Sequence, residues 1–72
     1  MATESFVKQQ ISGLEKGLAK QTERLENLQN VLLFLEKDYP EYEKIENEIK
    51  LVEGNIEMIR AVIAQNEERL KR

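Results

Sequence analysis

The sequence contains no cysteine and no histidine. Without cysteine there is no disulfide framework, no thiolate nucleophile and no thiolate metal site. Without histidine the commonest general base and transition-metal ligand is missing. Long apolar runs are also missing. A membrane-spanning helix needs roughly 18–20 such residues, and the longest run, Val31-Leu32-Leu33-Phe34-Leu35, falls far short. The opening Met1-Ala2-Thr3-Glu4-Ser5 has no basic segment followed by an apolar core, so no signal peptide is expected and the expected location is the cytoplasm. An excess of positive charge is absent too. Eleven Lys and Arg stand against 14 Asp and Glu, for a net charge of −3, which argues against nucleic acid as the main partner.

The remaining polar residues offer little catalytic chemistry. Ser5, Ser12, Thr3 and Thr22 have no base within plausible reach, and no glycine-rich phosphate loop is present. Glu36, Asp38, Glu41, Glu43, Glu46 and Glu48 gather in one stretch. A calcium loop would add more Asp and an internal Gly. Acids at that place are what the N-terminus of a following helix favours. Lys20, Arg24 and Arg69 form no basic stripe and have no interleaved aromatics. The expectation is a protein that is not an enzyme, with no catalytic residue, no metal and no cofactor.

The strongest pattern is a helical one. Apolar residues recur at Val7, Ile11, Leu14, Leu18, Leu25, Leu28, Leu32 and Leu35, with Gln21 as the single polar interruption. A second series runs Tyr42, Ile45, Ile49, Val52, Ile56, Ile59, Ile63, Asn66 and Leu70, where only Asn66 is polar. Both follow alternating spacings of three and four, the heptad seam of a coiled coil. Thr3 is a candidate N-cap for the first helix, and Arg69, Lys71 and Arg72 suit the C-terminus of the second.

The two seams meet at Asp38-Tyr39-Pro40-Glu41. Pro40 removes a backbone donor, and its ring clashes with the carbonyl four residues earlier. Tyr39 would continue the first seam, but Leu35, Tyr39, Tyr42 and Ile45 place two three-residue spacings together, so the register breaks here. Asp38 can cap a new helix, with Pro40 in its first turn and Glu41 at its third position. The chain is therefore expected to be all-α, a single domain formed by an antiparallel two-helix hairpin of coiled-coil type. Helix 1 is expected over about 3–37, the turn over 38–40 and helix 2 over about 40–71.

An antiparallel pair has two flanks. Heptad positions b and e share one, and c and g share the other. The b/e flank is mostly charged and of mixed sign, from Lys8 and Glu15 to Glu67 and Lys71, with Leu33 among its members. The c/g flank carries Phe6, Val31, Phe34, Leu51, Met58 and Val62, which no seam explains. Gly13 and Gly17 lie there as well. They are either tolerated, at about 1 kcal/mol each relative to Ala, or present so that another helix can approach. These eight residues are the candidate partner-binding face.

Two helices alone make a thin core, and chains this small usually gain support from a staple, a metal or a partner. The expected partner is a second copy, in a dimer that forms a four-helix bundle through the c/g flanks. The expected role is a self-associating hairpin used in assembly or scaffolding. An alternative is a small acidic inhibitor or adaptor, including one encoded by a phage, that binds a larger protein through the same flank or through the acidic tip.

Overall fold

The structure, a computed structural model, describes residues 2–71, with side chains described from Glu4 onward. Two helices make up almost all of it: α1, Ala2–Phe34, and α2, Pro40–Lys71. They fold back on each other as a hairpin and pack along their length. The result is a rod with extents of 56 × 14 × 13 Å. Among the described residues there is no strand, and no helix is long and apolar enough to cross a membrane.

Helix ends follow local chemistry. α1 starts at Ala2, one residue before the Thr3 suggested as its cap; the Thr3 side chain lies outside the described set. Glu4 stands in the first turn and pairs with Lys8 at 3.2 Å, four residues on. α2 has Glu41 and Glu43 in its first turn and Arg69 and Lys71 in its last, so both ends complement the helix dipole. Arg72 lies outside the described residues.

The connection occupies residues 35–39, because α1 stops at Phe34 rather than near 37. The cause is the reach of Pro40. A helix continuing through Glu36 would drive its carbonyl into the proline ring, so the chain must unwind before that point. It does so through tight turns. The Leu35 N–H donates to the Leu32 carbonyl at 3.3 Å, and the Tyr39 N–H donates to the Glu36 carbonyl at 3.1 Å. No residue needs a left-handed conformation, which is why the link works without glycine. Since α2 begins at Pro40, its flanking residue is Tyr39, whose carbonyl accepts from the Tyr42 N–H at 3.0 Å. Asp38 therefore stands one residue too early to be the cap, and Glu41 takes the second helical position rather than the third.

Between the helices lies one continuous seam. Every seam position from 7 to 35 and from 42 to 70 is buried or half-buried. Elsewhere among the described side chains only Gly17, Thr22 and Glu48 escape full exposure. Tyr39 is exposed, since the helix that would have carried it inward has already ended. The core proper is small: Ile11, Val52 and Ile56 are its buried apolar residues, and Val52 at 3% exposure is the deepest. Asn66 is almost as deep, at 5%. Its amide donates to the Val62 carbonyl of its own helix at 3.0 Å, so it is satisfied locally rather than across the seam. Gln21 is not satisfied in the same way. Its Oε1 is buried and accepts no hydrogen bond. Next to it the Thr22 hydroxyl donates back to the Leu18 carbonyl at 2.8 Å.

Candidate interaction face

Contacts between the helices fix their relative height. Leu14 lies beside Val62 and Asn66 in a shallow groove that also includes Gln10 and Gly13. Leu25 lies beside Glu53 and Ile56 in a second groove, with Thr22, Glu57 and Arg60. The first groove opens on one side of the seam and is rimmed by c and g residues. The second opens on the other side and is rimmed by b and e residues. The Arg24 guanidinium pairs with the Glu48 carboxylate across the first side. Both occupy g positions, as antiparallel pairing requires.

The c/g flank is therefore a real surface of the hairpin, bounded by two helices held at a known register. Phe6, Val31, Phe34, Leu51, Met58 and Val62 are all exposed there, from 36% for Val62 to 88% for Phe34. Val62, the least exposed, also lies beside Leu14 of α1. Gly13 is exposed and lines the same groove as Val62, whereas Gly17 is half-buried one turn further along. A Cβ on either glycine would meet nothing within 4 Å beyond its chain neighbours and the local backbone of its own helix. Packing within the hairpin therefore gives no reason for glycine at these positions. Gly54, on the outer surface of α2, is equally open.

The flank is long rather than deep. Phe6 stands near the open end of the hairpin, Val62 and Met58 near its middle, and Leu51, Val31 and Phe34 toward the turn. No cavity encloses these side chains. Any partner would have to be an elongated surface laid along the rod, not a small molecule in a pocket. The charged members, Lys20, Arg24, Lys44, Glu48 and Arg69, separate the apolar ones into short patches.

One exposed side chain lies off this flank. Leu33, at 77% exposure, projects 100° around the helix from Phe34, toward the b/e side. With Phe34 and the exposed Tyr39 it makes the end of the rod near the turn partly apolar. The heptad pattern places Leu33 on the charged flank, and its neighbours there hide its significance. The signal for it is the unbroken apolar run at 31–35, which exceeds what one seam can bury. Beside these residues stand the acids of the turn, yet among the described residues no group of them is arranged to hold a metal ion.

No family model, curated protein or solved structure matches this chain.

Proposed function

We propose that this chain is a non-enzymatic interaction module, a helical hairpin that associates with itself to serve assembly or scaffolding. The observation that carries this reading is the set of six exposed apolar side chains on one flank. Scattered exposed apolar residues are normal on any protein. A set collected along one face of a two-helix rod, even in short patches between charged residues, supports a contact surface there. The small buried core supports the same reading, since a hairpin with so few fully buried residues gains most from further burial.

Equilibrium sedimentation at micromolar concentration tests it. The parent should associate. Phe34→Glu and Met58→Glu should each weaken association sharply, because each places a charge in an apolar contact. Glu57→Lys and Lys50→Glu, on the other flank, should leave it nearly unchanged. A parent that stays monomeric, fully helical and cooperatively melting would refute the proposal. A second reading draws on Leu33, Phe34 and Tyr39, exposed beside the acidic residues of the turn. That end could seat in an apolar groove with a basic rim on a larger protein, as an inhibitor or adaptor would. In that case Leu33→Glu would abolish capture of the larger protein, whereas Met58→Glu would not.

A further inference from the structure

We propose that two copies of the hairpin pair through their c/g flanks in opposite directions, on a twofold axis crossing α1 at Lys20 and α2 at Glu57 and Met58. This rests on the self-association reading above and adds the direction and register of the pairing.

The first support is the placement of the apolar side chains. Leu14 lies beside Val62 and Asn66, and Leu25 beside Glu53 and Ile56, so Lys20, midway between, is level with Glu57 and Met58. Phe6 and Phe34 stand fourteen residues to either side of Lys20, about 21 Å each way at 1.5 Å per residue. On α2, Leu51 is six residues before Glu57 and Val62 is five after it. A twofold axis perpendicular to the rod lays α1 on α1 and α2 on α2 with directions reversed. Phe6 then meets Phe34 of the copy, Met58 meets its own twin on the axis, and Leu51 comes within one helical turn of Val62 of the copy. Val31 falls opposite Gln9 and Gln10, and is the one apolar member without an apolar counterpart.

Charge gives the second support. Residues 21–56, the half that includes the turn, hold nine acids and four bases. Residues 2–20 and 57–71 hold five acids and six bases. The rod thus has an end of net −5 and an end of net +1. Reversed pairing sets unlike ends together, whereas pairing in the same direction would set the two acidic ends side by side, within a Debye length of about 8 Å. One approach of like charge remains, Lys20 to Lys20 of the copy, between long, exposed side chains able to turn their charged heads to solvent.

The third support is size. The rod is 56 Å long and 14 Å across, so a flank laid along its whole length has the dimensions of an ordinary interface. A standard protein interface buries roughly 800 Å² per partner.

The lack of native cysteine makes the test direct. Lys37→Cys places one spin label in the exposed connection, outside both helices. The labelled chain is first sedimented, then the label-to-label distance is measured by pulsed dipolar spectroscopy. α1 ends at Phe34, about 21 Å from the level of Lys20, and position 37 lies past that end, so reversed pairing separates the two labels by more than about 40 Å. A dimer with labels less than about 25 Å apart, from turns side by side or from exchanged arms, overturns the inference and leaves self-association standing. A chain that remains monomeric overturns both.

Discussion

Gln21 is the one seam residue whose burial has no compensating bond. Its Oε1 is out of contact with solvent and accepts no hydrogen bond. Leaving a buried polar group unpaired costs about 1–3 kcal/mol. Gln21→Met removes that oxygen while keeping an unbranched side chain of similar volume, and the two residues have nearly equal helix propensity. The expected gain is therefore about 1–3 kcal/mol. In a domain of this size 1 kcal/mol moves the melting temperature by about 4–8 °C, so the variant should melt at least about 4 °C higher. The assay is thermal unfolding followed by helical circular dichroism, repeated across a concentration series so that association and folding are separated. Gln29→Met, at an exposed position of the same helix, is the control and should stay within about 0.5 kcal/mol of the parent. If Gln21→Met melts at or below the parent, the assignment of an energetic penalty to Oε1 is wrong. If it gains stability but sediments as a mixture of species, Gln21 is a register-fixing residue whose cost is offset in specificity.

The glycines give a second contrast. Gly13, Gly17 and Gly54 have room for a Cβ and no positive φ, so each change to Ala should stabilise the isolated hairpin by about 1 kcal/mol in urea unfolding. Gly54→Ala should leave association untouched, whereas Gly13→Ala and Gly17→Ala should weaken it if a second helix lies close against α1; equal association by all three would remove the close-approach explanation. Ile56→Ala, in the core, should cost about 2–5 kcal/mol by the same measurement. Arg24→Gln should cost no more than about 1 kcal/mol, because its pair with Glu48 is exposed to solvent.

The seam was legible because its period is unforgiving. A stripe that recurs every three or four residues over nine turns has only one helical face to occupy, and both polar interruptions, Gln21 and Asn66, lie on it. Less legible was the end of α1. Heptad counting assumes that the helix persists, so it carried Tyr39 into the seam. Proline acts four residues upstream of itself, and the helix had ended before Tyr39 could turn inward. Asn66 shows a second limit, since its polarity says nothing of depth, yet it is among the most buried side chains and bonds to Val62. Only the depth of its site, beside Leu14 across the seam, decides that. The flank residues were placeable from the heptad alone. What covers them depends on a second molecule, and no single chain encodes its own neighbour's position as directly as its own fold.

The hairpin is also a zipper. Arg24 and Glu48 are 24 residues apart in sequence, Leu25 and Ile56 are 31 apart, and Leu14 and Asn66 are 52 apart. The separation grows steadily from the turn to the open end. Yet each layer, once its neighbour nearer the turn has closed, needs little further loop closure, since doubling a loop costs only about 0.6 kcal/mol. Closure should therefore start beside Leu35 and Tyr42 and travel outward, and opening should run the other way. Backbone amides near Leu28 and Ile49 should exchange with solvent most slowly, and those near Val7 and Leu70 most quickly. Phe6 and Arg69 sit on the part of the rod that opens first, so a second molecule bearing on that end would act as its clasp.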